Sequence, residues 1–164
     1  VSHTAAVIVD TRKTLPGMRS LQKMAVRLGG GRNHRFGLDD AVMIKDNHIA
    51  IAGSIGGAVA RARAAVGLTV KIEVEVDTLA QFEEALDTSA DIILLDGFTL
   101  EDMNQAVAQN AALGSARKCI EASGGVTRET VVAIAETGVD VISVGALTHS
   151  VRQLDIGLDV TIEA

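Results

Sequence analysis

Polar residues that can do chemistry follow each of the short apolar runs in this sequence. If these runs are parallel strands of successive βα units, their carboxyl ends meet at one face, which is where barrels of such units carry their active sites. We therefore expect the residues at these ends to form a single site. They are Arg12 and Lys13, Lys45, Glu75, Asp96, Ser123 to Gly125, and Gly145.

One part of this expected site is cationic. Arg12, Lys13, Arg35 and Lys45 converge on it, and His34 lies beside Arg35 in the sequence. Arginine offers a planar fork that matches a carboxylate, and lysine offers a compact charge. Several such groups together suit a dicarboxylate or a polyphosphate. Arg12 and Lys13 taken alone are also explained as solvated loop charges.

A second part is anionic. Glu75 and Asp96 end consecutive strands, so their carboxylates can meet. Paired carboxylates suit Mg²⁺, ribose hydroxyls or a developing positive charge. Two alternatives stay open at this point. Glu73 or Glu75 in the alternating EVEVD segment can face solvent, and Asp96-Gly97 can be a simple turn.

A third part is rich in glycine. Ser123-Gly124-Gly125 and Gly145 offer backbone N–H groups ahead of helices, which is the chemistry of a phosphate site, and barrels often bind phosphate after their last strands. A tight turn explains the SGG sequence equally well. His34 and His48 lack the spacing of a zinc site, and His48 and His149 are more simply explained by hydrogen bonding.

Short β-branched runs alternate with segments of helical periodicity, which predicts βα units and a parallel sheet. Because no GxGxxG follows a strand, we predict an incomplete (β/α) barrel rather than a dinucleotide-binding fold. Ser54 and Thr99 are expected to cap helices, and Gly29 to Gly31 to end one. The predicted strands are Ala5–Val9, Ala41–Ile44, Thr69–Val76, Asp91–Leu95, Arg117–Ala122 and Val139–Val144. The predicted helices are Met18–Leu28, Ser54–Val66, Thr78–Leu86, Leu100–Ala111 and Arg128–Glu136.

The composition is consistent with this fold. The 164 residues suit one domain, and 48% of them are hydrophobic but only 2% aromatic, so the core must consist of Ala, Val, Ile and Leu. The single cysteine, Cys119, excludes a disulfide framework and is expected to be a buried thiol.

Charge and hydropathy limit the partners. A net charge of −6 argues against nucleic acid, yet eight of the fifteen Lys and Arg residues lie in the first 45 positions, which favours a small anionic ligand. No apolar run reaches the roughly 18 residues of a membrane span, and no signal peptide is visible. We therefore expect a cytoplasmic protein without a membrane partner.

Several blocks of this sequence closely resemble the quinolinate phosphoribosyltransferase family, also called nicotinate-nucleotide pyrophosphorylase (carboxylating). In chain order they are DTRKTLPGMR, GGGRNHRFGLDDAVMIKDNH, KIEVEVDTL, DIILLDGF, EASGGV and TGVDVISVGALTHS. The resemblance implies an α/β barrel of six or seven strands. It also implies conversion of quinolinate and phosphoribosyl pyrophosphate into nicotinate mononucleotide, pyrophosphate and CO₂, with Mg²⁺, in NAD biosynthesis.

The resemblance also assigns roles to residues. It implies that Arg12, Lys13, His34, Arg35 and Lys45 bind quinolinate, with Lys13 and Lys45 also counted as catalytic. Glu75 and Asp96 would face the ribose and the metal as catalytic residues. The 5′-phosphate site would comprise Ser123, Gly124, Gly125, Gly145 and His149.

The family has a preceding α/β sandwich domain that this sequence does not contain. In family dimers that domain caps the neighbouring subunit's barrel and contributes an arginine to its quinolinate pocket. We therefore expect residues 1–164 to be the C-terminal barrel domain of a longer homo-oligomeric enzyme, and expect that this chain alone lacks part of the site.

Three other functions remain in competition. Lys45 at a strand end suits a Schiff-base lyase. A phosphate- or nucleotide-binding module without catalysis is a second alternative. The third is nicotinate phosphoribosyltransferase, the nearest relative by chemistry within the fold.

Overall fold

The computed structural model describes residues 1–162, which form one parallel six-stranded sheet with helices in the connections. All six predicted strands are present, each shorter than predicted or shifted by one or two residues. The sheet order is β1-β6-β5-β4-β3-β2, and every pairing is parallel, as expected for a barrel that is not closed. The strands are β1 (Val7–Val9), β2 (Val42–Ile44), β3 (Ile72–Val76), β4 (Ile92–Asp96), β5 (Cys119–Ser123) and β6 (Val141–Ser143).

The five predicted helices are also present, together with two that were not predicted. Ser54 Oγ accepts the Gly57 N–H at 2.9 Å, and Thr99 Oγ1 accepts the Asp102 N–H at 3.1 Å, so both predicted caps are confirmed. The helices are α1 (Arg19–Leu28), α2 (Asp46–Ala52), α3 (Ile55–Ala65), α4 (Leu79–Leu86), α5 (Leu100–Ala112), α6 (Val131–Glu136) and α7 (Ala146–His149).

Helices α2 and α6 correct the sequence prediction. No helix was predicted between β2 and Ser54, but α2 begins directly after Lys45, and the His48 ring accepts the Lys45 N–H at 3.0 Å. Helix α6 begins three residues later than predicted, because Thr127 and Thr130 exchange backbone-to-side-chain hydrogen bonds in a separate turn ahead of it.

Aliphatic side chains fill the core between the sheet and its helices, as the composition predicts. The buried set consists mainly of Ile, Val, Leu and Ala, and Phe82 is its one aromatic member among the described residues. None of the described helices is long and apolar enough to cross a membrane.

The sheet has two ends, β1 and β2, and no described residues of these strands pair with each other. The segment after α1 lies against β1 instead: Arg32 N–H donates to Ile8 at 2.9 Å, and Asp10 N–H donates to Arg32 at 3.2 Å. Residues 32–35 therefore lie beside β1 in the gap between the two end strands.

At the amino-terminal ends of the strands, two aspartates connect neighbouring parts of the sheet. Asp91 accepts hydrogen bonds from Arg63 (2.6 Å), from Lys71 (2.8 Å) and from the Ile72 N–H (2.9 Å). Asp140 bonds Arg117 and the Ile120 N–H in the same way. Each carboxylate thereby ties a strand start to its neighbour, at the edge where residues of barrels usually serve stability.

Candidate active site

A cavity of about 210 Å³ lies at the carboxyl ends of the strands. Successive strand residues point to opposite faces, so residues two apart, such as Leu94 with Asp96 and Glu121 with Ser123, line it together. The structure thus brings most of the sequence-predicted residues to one place. The lining comprises Thr11, Arg12, Lys13, His34, Arg35, Met43, Lys45, Glu75, Leu94, Asp96, Glu121, Ser123 and Ser143.

Lys45 and Glu75 form an ion pair in this cavity. Met43 pairs with Glu73 and Ile44 with Val74 in the β2–β3 ladder, so the next position places Lys45 beside Glu75. Lys45 Nζ contacts Glu75 Oε2, and the two side chains are 43% and 18% exposed. Glu75 therefore faces the cavity rather than bulk solvent, and its carboxylate contacts the Lys45 side chain there.

The two arginines of the cavity have donors without protein partners. Arg12 Nε is buried and makes no hydrogen bond within residues 1–162. Arg35 uses one guanidinium nitrogen to bond Ala41 O at 3.1 Å. Burial and the neighbouring Arg12 charge lower the pKa of Arg35. Because a buried donor and two neighbouring positive charges are both unfavourable, an anion bound here would relieve both costs.

His34 lies on the inner wall, and its ring nitrogens are engaged by the protein. Its Nε2 is 3.1 Å from Glu121 and 3.3 Å from Glu73, and its Nδ1 accepts the Arg35 N–H at 2.8 Å. Burial lowers the pKa of His34, the hydrogen bonds to Glu121 and Glu73 outweigh that effect and raise it, and the Arg35 N–H at Nδ1 opposes the rise. A second proton would have to enter at Nδ1, at the expense of the Arg35 contact.

Glu73 and Glu121 are charged residues of the site that sequence reasoning did not assign. Both are almost fully buried, and burial with the nearby Glu121 charge raises the pKa of Glu73. One oxygen of each carboxylate has no hydrogen-bond partner within the described part of the chain. The signal in the sequence was a glutamate inside an apolar strand, in KIEVEV and again in KCIEAS.

Asp96 and the SGG turn meet at the ends of β4 and β5. Gly124 and Gly125 have φ values of +88° and +60°. A Cβ on Gly124 would stand 2.7 Å from Gly97 N and 2.9 Å from Asp96 Oδ1, so only glycine fits this turn. In residues 1–162 no acceptor takes the Gly124 or Gly125 N–H, and the Asp96 carboxylate likewise has no donor.

The remaining predicted residues stand next to the cavity rather than in its lining. Gly145 precedes α7, and the His149 ring packs over it, since a Cβ on Gly145 would lie 2.7 Å from His149 Nε2. His149 Nδ1 is 2.6 Å from Ser150 Oγ. Gly124 and Gly125 follow the lining residue Ser123 directly.

A larger depression of about 430 Å³ lies between α1 and α7, away from these groups. Gln22 is the one polar side chain among the residues that line it, and the rest are aliphatic or glycine. It offers no charged or nucleophilic group, so the smaller cavity is the candidate active site.

The fold and this cavity define an α/β-barrel domain with cationic side chains in a cavity at the carboxyl ends of its strands. Residues 1–159 match the family model described as "Quinolinate phosphoribosyl transferase, C-terminal domain". The chain belongs to the quinolinate phosphoribosyltransferase family.

Similar proteins agree with this membership. The chain is 53% identical over 155 residues to the probable nicotinate-nucleotide pyrophosphorylase [carboxylating] of Bacillus subtilis, covering 94% of this chain and 52% of that protein. It is 51% identical to the Mycobacterium leprae nicotinate-nucleotide pyrophosphorylase, covering 97% and 55%. The solved nicotinate-nucleotide pyrophosphorylase of Ehrlichia chaffeensis superposes with a TM-score of 0.88 at 44% identity, covering 97% and 56%. The chain therefore spans about half the length of the curated relatives it matches.

Proposed function

We propose that the protein containing this chain is a quinolinate phosphoribosyltransferase. It would convert quinolinate and phosphoribosyl pyrophosphate into nicotinate mononucleotide, pyrophosphate and CO₂, in NAD biosynthesis. The observation that carries the proposal is the convergence of Arg12, Lys13, Arg35 and Lys45 on one cavity in which Arg12 Nε is buried without a partner. A compact dicarboxylate satisfies such a set of donors.

The cations would orient quinolinate. Arg12, Arg35 and Lys45 clamp its two carboxylates, with Lys13 at the exposed rim and His34 at the wall. This orientation holds the pyridine nitrogen against ribose C1, which supplies the proximity contribution to the rate. Since His34 uses both ring nitrogens within the protein, its part is to shape the wall beside Arg35.

The acidic residues would stabilise the ribose. As the bond from C1 to pyrophosphate breaks and the bond to the ring nitrogen forms, positive charge develops on the ribose. Glu75 and Asp96 lie at the ends of adjacent strands and stabilise that charge or hold the ribose hydroxyls. In the adduct that this transfer forms, the ring nitrogen is positive, so it stabilises the electron pair that stays on the neighbouring ring carbon when CO₂ leaves, and a proton then bonds to that carbon in place of the carboxylate.

Mg²⁺ is the proposed cofactor, because the residues present fit it. Asp96 offers a carboxylate without a protein donor in residues 1–162, and Glu75 offers a second one nearby; both are hard oxygen ligands of the kind Mg²⁺ prefers. The ion would neutralise the departing pyrophosphate.

The glycine turns would hold the 5′-phosphate. The unpaired N–H groups of Gly124 and Gly125, with Ser123, support this assignment, and Gly145 with His149 extends it toward α7. Binding energy from the phosphate, which does not react, would then position the reacting carbon.

We also propose that residues 1–164 are the barrel domain of a longer cytoplasmic enzyme. Its N-terminal domain caps the cavity of a second subunit in a homodimer or larger homo-oligomer. This proposal is supported by the length of the relatives, since the chain matches only 52% and 55% of the two bacterial proteins. The activity tests therefore use the chain preceded by the N-terminal domain of the Bacillus subtilis relative, and we expect much lower activity without it.

The test is Arg35→Ala in that protein. Loss of charge-assisted hydrogen bonds to a carboxylate should raise the quinolinate KM by roughly 10- to 100-fold. The matched control is Arg61→Ala, an exposed arginine on α3 outside the cavity, which should leave the KM unchanged. Unaltered quinolinate kinetics in Arg35→Ala would sink the assignment.

Release of labelled CO₂ distinguishes the proposed reaction from that of a nicotinate phosphoribosyltransferase. The proposed enzyme releases CO₂ from quinolinate and turns over little nicotinate, whereas a nicotinate phosphoribosyltransferase shows the reverse. Binding of phosphoribosyl pyrophosphate without turnover of either acid would identify a binding module instead.

A further inference from the structure

Three side chains that take no part in the proposed chemistry hold residues 32–35 in the gap between β1 and β2. We propose that Asp10, Lys23 and Asn33 are positioning residues for Arg35, an inference that rests on the proposed function. They would fix the backbone from which Arg35 reaches the quinolinate carboxylate.

Asp10 is the centre of this network and is fully buried, as is Lys23 at 2% exposure. Asp10 Oδ1 accepts from Lys23 Nζ at 2.5 Å and from the His34 N–H at 2.9 Å. Asp10 Oδ2 accepts from Asn33 Nδ2 at 2.6 Å. Both oxygens of the buried carboxylate are therefore used, and two of the three donors belong to residues 33 and 34.

Lys23 holds the same segment from α1. Its Nζ donates a second hydrogen bond to His34 O at 3.1 Å, while Asn33 Nδ2 donates to Lys23 O at 2.9 Å. The N–H and the C=O of His34 are thus bound by opposite members of one buried ion pair. This arrangement fixes the peptide plane on each side of the residue.

The other side of the segment is held from inside the sheet. The His34 ring contacts Glu121 on β5 and Glu73 on β3, and its Nδ1 accepts the Arg35 N–H. The backbone of Arg35 is therefore fixed with respect to β1, α1, β3 and β5, although its segment belongs to no strand. Only the guanidinium remains to respond to a ligand.

Stability alone does not explain a charged pair at this place. An apolar pair of similar volume often stabilises a protein as well as a buried ion pair does. Such a pair would pack α1 against β1 equally well, but it has no donor or acceptor for the His34 backbone. The feature that requires charge here is the orientation of residues 33–35.

The main test is the double variant Asp10→Leu/Lys23→Met in the two-domain protein described above. We expect the quinolinate KM, and its Kd by calorimetry, to rise about tenfold because Arg35 is misplaced, while the KM for phosphoribosyl pyrophosphate changes no more than about twofold. An unchanged quinolinate affinity, or an equal rise in both KM values, overturns the proposal.

The matched control is Asp91→Leu/Arg63→Met at the opposite edge of the sheet. Like Asp10, Asp91 accepts hydrogen bonds from a cationic side chain and from a backbone N–H, so the control removes comparable chemistry away from the cavity. It should leave the quinolinate KM unchanged. If the control raises this KM as much as the test variant does, general destabilisation explains the effect and the proposal is wrong.

Asn33→Ala provides a milder test, since it keeps both charges of the buried pair and removes only the hydrogen bonds of Asn33 to Asp10 Oδ2 and Lys23 O. We expect a smaller rise in quinolinate KM of about threefold. Combining it with Arg35→Lys should give a less than additive loss, because both changes act through the same guanidinium. Strict additivity counts against positioning.

Amide hydrogen exchange separates this proposal from the proposed function. Exchange at residues 33–35 should accelerate in Asp10→Leu/Lys23→Met and not in the Asp91 control, whichever substrate the protein uses. Unchanged exchange refutes the positioning network even in an active enzyme. Accelerated exchange in a protein that binds no quinolinate refutes only the proposed substrate.

Discussion

Two lysine–carboxylate pairs lie near the carboxyl edge of the sheet, and they differ in how completely the protein satisfies them. The side chains of Lys23 and Asp10 are 3% and 0% exposed, and each group has further partners in the backbone or in Asn33. Lys45 and Glu75 are 43% and 18% exposed and have only each other among the described residues. The Lys23–Asp10 pair therefore holds the protein structure together, whereas the Lys45–Glu75 pair leaves both charges accessible from the cavity.

The contrast shows that pairing alone does not identify a functional charge. In both pairs the lysine contacts a carboxylate, yet a ligand can exchange for a partner only where the pair meets the cavity. Remaining exposure and unused hydrogen-bonding capacity are what distinguish Lys45 and Glu75 from Lys23 and Asp10. The four predictions below test this distinction, from the largest expected effect to the smallest.

Lys23→Met should be the most damaging to stability. It leaves Asp10 charged and buried without its cation, which costs about 3–5 kcal/mol of unfolding free energy. Lys45→Met removes an open pair and should cost no more than about 1 kcal/mol. Urea unfolding of both variants measures the difference. Adding Asp10→Leu to Lys23→Met should recover most of the loss, and equal costs for the two lysines would contradict the comparison.

Lys45→Met should keep the fold but strongly reduce activity. Because we propose that Lys45 holds a carboxylate of quinolinate, its removal should lower kcat/KM for quinolinate roughly 100-fold. Lys71→Met is the control, since Lys71 is an exposed lysine paired with Asp91 at the opposite edge. CO₂ release under both substitutions gives the measurement, and similar activities would remove Lys45 from the site.

Glu75→Gln should separate binding from chemistry. The change frees Lys45 for the substrate, so the quinolinate KM should stay the same or fall. In the proposed mechanism the developing positive charge of the ribose loses a stabilising carboxylate, so kcat should fall by about tenfold. A higher KM with an unchanged kcat would show that Glu75 only holds Lys45 in place.

Asp91→Asn should have the smallest effect and a defined pH dependence. Burial opposes ionisation, but hydrogen bonds from Lys71, the Ile72 N–H and Arg63 lower the pKa of Asp91 to about 2, from 3.8. Its contribution to stability is therefore present above about pH 4 and is lost as pH falls through about 2. The difference in unfolding free energy between wild type and variant should shrink across that range, and a pH-independent difference would contradict this.

Much of the fold could be predicted from local sequence patterns. The β-branched runs separated by helical segments predicted all six strands and the parallel sheet. The strand ends, together with His34 and Arg35, predicted eight of the thirteen residues that line the cavity. The predicted strand boundaries were less accurate, because an apolar run can extend beyond the residues that pair with a neighbouring strand. Thr69–Val76 is an example, since only Ile72–Val76 forms β3.

The contacts that hold the site residues in place could not be predicted from local patterns. Glu121 meets His34 from 87 residues away, and no local pattern encodes such a contact. Lys23 resembles an ordinary polar position on α1, and only the three-dimensional fold places its ammonium group beside Asp10. The sequence thus revealed which groups face the ligand better than it revealed which groups hold them.

The uneven distribution of basic residues has a kinetic consequence. Eight of fifteen Lys and Arg residues lie in the first 45 positions of a chain with a net charge of −6, and four of them line one cavity. These four cations outnumber the three carboxylates of the same lining, Glu75, Asp96 and Glu121, so the cavity attracts small anions and raises their association rate, although the chain as a whole is negatively charged. At physiological ionic strength this attraction reaches only about 8 Å, so added salt should slow substrate capture well before it loosens the bound complex.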